Sequence, residues 1–282
     1  MKVLRTAFLL TALTLVLLTV GGALGGRNGM TIALVFAAFG NAIAYFFSDK
    51  IALWSSGAKP VSREQMPRLY EVMERLAGKA GLPVPKLFLI PEAAPNAFAT
   101  GLNPSHASVA VTEGLMQLMN DDELVGVIAH ELSHVRNYDI LISSIAATIA
   151  GAITYAARMG FWFGYGGRDG DREGGGVSAI LMLILAPIAA MLLQLGISRQ
   201  REYAADETGA RMIGQPYGLI SALQKLGAYN QRIPSAMPQT TAALCIVKPF
   251  SAGSIFSSLF STHPPLEDRI AALREITISR QG

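Results

Sequence analysis

The sequence predicts an α-helical integral membrane protein that carries a mainly helical polar domain with a small β-sheet. Three observations support that class: long uncharged apolar stretches in two pairs, polar segments of helical periodicity after each pair, and three short strand-like runs in the first polar segment. Hydrophobic residues make up 51% and charged residues only 15% of the 282 positions, and mean hydropathy is +0.38. That balance belongs to a membrane protein rather than to a soluble globule.

Thr6 to Gly26 is uncharged, and after Arg27 the stretch from Asn28 to Ser48 is uncharged again. A second pair runs from Ile140 to Ala157 and from Val177 to Ser198. Each approaches the roughly 20 residues that cross about 30 Å of hydrocarbon as a helix, the third being the shortest. Four spans are therefore expected. Met1 to Arg5, the apolar run behind it and the small residues at Gly21 to Gly26 also resemble a signal peptide. A second full-length apolar stretch follows almost at once, so a tight helical hairpin turning at Gly25-Gly26-Arg27-Asn28-Gly29 accounts for both better.

The chain thus divides into a membrane hairpin at 1–48, a first polar part at 49–139, a second membrane pair at 140–198 with an exposed Gly-rich loop at about 160–176, and a second polar part at 199–282. Lys2 and Arg5 precede the first span, Arg27 alone marks its turn, and Lys50, Lys59, Arg63, Arg68, Arg75 and Lys79 follow the second. Positive charge on one side of the spans places both termini and both polar parts in the cytoplasm. The formal charge of +3 comes without a basic block, which argues against a nucleic-acid partner. Cys245 is the single cysteine, so neither an intrachain disulfide nor a thiolate metal cluster is available, as suits a reducing compartment.

In the first polar part, Leu69, Val72, Met73 and Leu76 recur at helical spacing between Gln65 and Lys79, and Gly81-Leu82-Pro83 ends the helix. Lys86 to Ile90, Ala97 to Thr100 and Ala107 to Thr112 read as strands separated by proline, asparagine and glycine. Two or three such strands make a small sheet, and a free edge near Asn96 to Ala110 would suit an extended peptide. Asn120, Asp121 or Asp122 then caps a helix with Glu123 near its positive end.

That helix carries His130-Glu131-Leu132-Ser133-His134. A four-residue separation puts the two imidazoles about 6 Å apart along one face, close enough to converge on one ion. Neutral imidazoles suit zinc. Glu131 points about 100° away and is free to act as general base on an attacking water, then to return the proton to a leaving amine. A structural histidine pair is the plainer reading. If the helix continued unbroken, His134 would lie roughly 9 Å before Ile140, near the membrane surface.

Two histidines leave the metal shell incomplete. Glu202 and Asp206 stand one turn apart on the helix that follows the fourth apolar stretch. Glu202 is placed to ligate and Asp206 to take the free ring N–H of a ligand histidine, although the residues alone also leave Asp206 and His263 open as the third ligand. An acidic face paired with Arg199, Arg201 or Arg211 is the alternative. His263 precedes Pro264, Pro265 and an amphipathic helix from Leu266 to Ile276, which would hold it at a helix entrance as a donor to a developing oxyanion, or leave it as a surface histidine. Arg269 on that helix could orient an acidic group or form a surface ion pair.

The chain resembles the HtpX family of membrane-bound zinc metalloproteases, relatives of the CAAX prenyl-protein peptidases. The resemblance covers nearly the whole chain and rests on His130-Glu131-Leu132-Ser133-His134, Glu202-Tyr203-Ala204-Ala205-Asp206, and Ser261-Thr262-His263-Pro264-Pro265 with Arg269. Asn96-Ala97-Phe98-Ala99 is similar to the family's segment ahead of the zinc helix. The resemblance implies a gluzincin-like catalytic domain in which His130, His134 and Glu202 hold one Zn2+, Glu131 is the base, and Asp206, His263, Arg269 and Asn96 lie in support. It further implies an endopeptidase of the cell inner membrane that cleaves misfolded or damaged membrane proteins at the cytosolic face, with the bilayer and other quality-control proteases as partners. A zinc-stabilised scaffold or chaperone is the non-enzymatic alternative, and a site-2-type intramembrane protease the enzymatic one. The polar residues that bracket the zinc helix, Asn120 to Asp122 and Arg136 to Asp139, argue against the latter. Apolar stripes fit a monomer and an assembly equally well.

Overall fold

Apolar periodicity and a glycine break build the first element. The computed structural model describes residues 2–165, 198–230, 232, 235, 237–247 and 264–276. Helix α1, Lys2–Ser55, is interrupted at Gly25 (φ −144°, ψ 17°) and Gly26 (φ 57°, ψ −139°), the second a conformation that glycine adopts without strain. Its two halves fold back on each other as the expected hairpin. Asn41 Nδ2 donates to Thr14 Oγ1 at 2.9 Å and to the Leu10 carbonyl at 3.4 Å, fastening the halves from within.

Helix α5, Asp139–Tyr165, packs along this hairpin through Ile142, Ile145, Ala146 and Ile149 against Leu9, Leu13 and Ala44. The outward face of α1 is apolar, with Phe36, Phe39 and Phe46 exposed. Gly25–Ser55, 31 residues at mean hydropathy 1.8, is long and apolar enough to cross a membrane, whereas Thr6–Thr19 and Asp139–Ile153 are shorter apolar helices. Among the described residues one helix, rather than three, thus meets the length and hydropathy of a span. The fourth expected span, 177–198, lies outside the described residues apart from Ser198, as does most of the loop at 160–176.

The sheet has four strands, β1 Lys59–Pro60, β2 Lys86–Ile90, β3 Ala97–Gly101 and β4 Ala107–Thr112, in the order β1-β2-β4-β3. Strand β2 runs parallel to β4, with Leu87 opposite Val109, and the other two pairings are antiparallel. All residues of β3 and β4 are buried, because helices cover the faces. That is why Ala-Ser-Val-Ala-Val-Thr in β4 does not alternate apolar with polar.

Helix α2, Pro67–Ala80, buries Leu69, Val72, Met73 and Leu76 and ends on Gly81 in the left-handed region, as its spacing predicts. Thr112 caps the short α3, Glu113–Leu118, by accepting from Leu115 N–H. Helix α4, Asp121–Asn137, is central to the polar domain. Asn120 and Glu123 form a reciprocal capping box at its start, and Asp121, Asp122 and Glu123 favour the positive end of its dipole. Helices α6, Arg199–Ile213, α7, Tyr217–Asn230, α8, Gln239–Ala242, and α9, Leu266–Glu275, complete the described fold. Leu124, Val127, Ile128 and Leu132 of α4 join Leu219 and Leu223 of α7 and the α2 stripe in one core.

One expectation is corrected. The zinc-helix sequence does not run unbroken into α5: α4 stops at Tyr138, which takes φ 60° and ψ 28°, and a new helix begins at Asp139. The Tyr138 N–H caps α4 by donating to the His134 and Val135 carbonyls.

Candidate active site

Helix α4 presents His130 and His134 one turn apart, and α6 crosses it where Gly209 lets backbones approach. A Cβ on Gly209 would meet the His130 backbone nitrogen at 3.1 Å. The crossing brings Glu202 onto the histidines. His130 Nε2 and His134 Nε2 lie 3.2 Å apart, His134 Nε2 lies 3.5 Å from Glu202 Oε1, and His130 Nε2 lies 3.8 Å from Glu202 Oε2. Ligands at zinc distances in a tetrahedron sit roughly 3.3 Å from one another. Two imidazole nitrogens and a carboxylate oxygen, one per residue and all within 4.8 Å, therefore fit a single divalent ion.

The far nitrogens of both rings face carboxylates. His130 Nδ1 lies 2.8 Å from Asp206 Oδ1, and His134 Nδ1 lies 3.5 Å from Asp139 Oδ2. Asp206 is in turn gripped by Arg269 of α9, whose Nε and Nη2 donate to its two oxygens at 2.8 and 2.7 Å. The remaining Arg269 nitrogen donates to the Ile246 carbonyl at 2.7 Å. Arg269 is completely buried, so its sequence reading as a surface ion pair is excluded; its nearer carboxylate partner is Asp206, and its Nη1 also lies 3.7 Å from Glu202 Oε2. Burial drives the His130 imidazole towards its neutral form against the pull of Asp206. Burial acts the same way on His134, but Asp139, Glu202 and Glu131 together outweigh it and raise that imidazole to about 9.

Glu131 is buried beside this cluster and takes no part in the three-donor set. Its carboxylate accepts from the Ala99 backbone N–H of β3. Burial, reinforced by Glu202, raises it to about 7 against the opposing pull of His134, Ala99 and Arg269. A carboxyl poised there exchanges a proton near neutral pH.

Strand β3 is one of the two outer strands of the sheet, but its first residue is already engaged: Ile246 N–H donates to the Ala97 carbonyl at 3.0 Å. Asn96 belongs to that engagement. Its Nδ2 donates to the Val247 carbonyl at 2.7 Å and its Oδ1 accepts from Val247 N–H at 3.4 Å, so it latches the 245–247 segment to the sheet. His263 lies outside the described residues.

The model of peptidase family M48 matches residues 62–277, three-quarters of the chain and every residue of this cluster. The chain belongs to peptidase family M48. It is 54% identical over 273 residues to a protease HtpX homolog of Desulfatibacillum aliphaticivorans, covering 95% of this chain and 88% of that one. It is 50% identical over 279 residues to a protease HtpX homolog of Pyrococcus furiosus, covering 97% and 96%. The crystal structure of S. mikatae Ste24p shares its fold at a TM-score of 0.51 and 20% identity, over 96% of this chain and 64%, just under two thirds, of Ste24p. The resemblance read from the three motifs is thereby borne out. As an M48 peptidase the chain is a metalloprotease, and the cluster of His130, His134 and Glu202 is the place where its described residues can hold the metal.

Sequence reasoning missed Asp139 as a neighbour of His134. The cue was an acidic residue five positions after His134, read only as part of the polar bracket around the zinc helix; in a continuous helix it would face away from the ring.

Proposed function

We propose that this M48 peptidase is a zinc-dependent endopeptidase of the cell inner membrane that cleaves misfolded or damaged membrane proteins at the cytosolic face. The observation that carries the reading is the convergence of the two Nε2 atoms and the Glu202 carboxylate beside a buried Glu131. His130, His134 and Glu202 hold the metal. Bound zinc supplies Lewis-acid polarisation of the scissile carbonyl and acidifies a water. Glu131 takes the proton of the attacking water and passes it to the leaving amine, a task suited to a carboxyl held near 7. Asp206, held by Arg269, fixes the tautomer of His130 so that Nε2 keeps its lone pair. His263, three residues before Leu266 at the start of α9, is the proposed donor to the oxyanion.

Alternation along β3 turns the Ala99 carbonyl to the same side as the Ala97 carbonyl that Ile246 occupies. Ala99 is therefore the proposed anchor for the backbone of an extended substrate, directly beside Glu131. Recognition through main-chain bonds suits a broad range of unfolded segments. The apolar hairpin next to the domain supports substrates at the bilayer surface.

The test is purification in detergent, metal analysis, and cleavage of casein or an unfolded membrane protein by the wild type and Glu131→Gln. The variant is expected to keep one zinc per chain while cleaving roughly 10²–10⁴-fold more slowly. Equal proteolysis by both preparations would sink the role given to Glu131. Stoichiometric zinc without proteolysis in any lipid condition would favour a scaffold.

A further inference from the structure

We infer that Asp139 is a positioning residue that fixes the His134 ring and ties the metal centre to α5, the apolar helix it begins. The inference rests on the metal reading of His130, His134 and Glu202 given above.

The two histidines are oriented from different parts of the molecule. His130 is held by Asp206 of α6, itself gripped by Arg269 of α9. His134 meets Glu202 of the second polar part on its Nε2 side, and its Nδ1 side is met from α5. Its Nδ1 meets Asp139 Oδ2 at 3.5 Å, and Asp139 is the first residue of the helix packed along the hairpin.

In an unbroken α-helix a residue five positions on would be turned about 140° from His134 and raised roughly 7.5 Å, with its side chain off the ring. The break at Tyr138 removes that obstacle. Tyr138 is the one non-glycine residue with positive φ among the described residues, and its side chain is largely exposed. L-residues with bulky side chains disfavour that conformation, and here it serves the cap in which Tyr138 N–H donates to the His134 and Val135 carbonyls. The strained backbone has a local result: it ends α4, starts α5 at Asp139 and leaves the Asp139 carboxylate against His134. Strain retained beside a ligand in this way is a mark of a functional constraint.

The carboxylate is also shielded and shared. The Asp139 side chain is 13% exposed, and its second oxygen lies 3.9 Å from Arg201 Nη1, one residue before the third metal donor. Asp139 thus spans from His134 on α4 to the start of α6. With Nδ1–H directed at Asp139, the lone pair of His134 is left on Nε2, the atom that faces His130 Nε2 and Glu202.

The test compares wild type, Asp139→Ala and Asp139→Asn as full-length proteins in detergent. Zinc affinity is measured by competition with a chromophoric chelator, the ligand geometry by the visible spectrum of the cobalt form, and the fold by melting of the metal-stripped chain. Asp139→Ala is expected to weaken zinc about 10–100-fold and alter the cobalt spectrum, while Asp139→Asn, which keeps an acceptor, loses about tenfold or less. The melting of the metal-stripped chain should not change. Zinc affinities of both variants within about threefold of wild type would overturn the inference, since orienting partners of ligand histidines contribute more than that. So would a loss of affinity that follows an equal loss of stability in the metal-stripped chain. A wild type that holds no zinc would overturn the metal reading itself, and this one with it.

Discussion

Glu202 and Asp206 lie one turn apart on α6 and address different atoms of the same ring. Glu202 reaches the Nε2 side, at 3.8 Å from His130 and 3.5 Å from His134, whereas Asp206 meets His130 Nδ1 at 2.8 Å. Removing them should therefore have separable effects. Glu202→Ala deletes a donor and is expected to lose most of its metal on dialysis against a weak chelator. Asp206→Ala leaves the three donors in place and is expected to weaken metal about 10–100-fold. Its larger consequence is for the fold, because the buried Arg269 loses its bidentate counter-charge. Breaking a buried pair by removing one partner costs about 3–5 kcal/mol, which melting of the metal-stripped protein would read. If Asp206→Ala lost metal more completely than Glu202→Ala, with its melting unchanged, Asp206 would be the third ligand.

At the scale of elements, α4 is held in register by its own first turn. Glu123 closes the capping box with Asn120, and its carboxylate also accepts from Ser221 at 2.6 Å and Lys225 at 2.7 Å, both on α7. Burial alone would raise the Glu123 carboxyl, but the Lys225 and Ser221 bonds and the Asn120 N–H outweigh it and hold it below its ordinary value. A carboxyl lowered on folding stabilises the native state above its unfolded value of about 4.3, and that contribution fades as pH falls through the lower folded value. Glu123→Gln should accordingly lower the melting temperature at pH 7 and show a smaller further loss than wild type between pH 5 and pH 3, by roughly the 1–3 kcal/mol of charged hydrogen bonds. Parallel curves for the two proteins would remove Glu123 from the account. The same elements show what the sequence made legible. Helix α4 was readable because cap, acidic first turn and apolar stripe agree, and β2 and β4 because proline and glycine bound them. Strand β1 was not, since two exposed residues carry no period and exist as strand only by pairing with Phe88 and Leu89. The stop at Tyr138 was hidden for a different reason: no glycine, proline or asparagine occupies that position, and tertiary packing imposes a conformation that local preference disfavours. Asp139 became visible only with that turn, whereas the pairing of His130 with His134 was foreshadowed by their spacing and Glu202 as their companion by the family resemblance.

For the molecule as a whole, we propose that the metal centre and the tip of the α1 hairpin lie on opposite sides of the bilayer. The far end of α1 enters the polar domain, where Ala52 and Leu53 pack with Phe98 and Ala110 of the sheet. The tip at Gly25 and Gly26 begins a helix of 31 residues that ends at Ser55. At 1.5 Å per residue that helix is about 46 Å long, enough to cross about 30 Å of hydrocarbon and to leave its last turns in the polar domain. Arg27 is the single charge at the tip, whereas Lys50, Lys59, Arg63 and Arg68 follow the other end, so the domain side should be cytoplasmic. The native background is silent for thiol labelling, because the one cysteine, Cys245, is fully buried. Asn28→Cys at the exposed tip should react with a membrane-impermeant maleimide in intact spheroplasts, and Glu64→Cys on the exposed surface of the domain only after permeabilisation. The opposite pattern would invert the orientation and move the peptidase site to the outer face. Labelling of both positions in intact spheroplasts would mean that α1 does not span, and the apolar face bearing Phe36 and Phe39 would then need a protein partner in place of lipid.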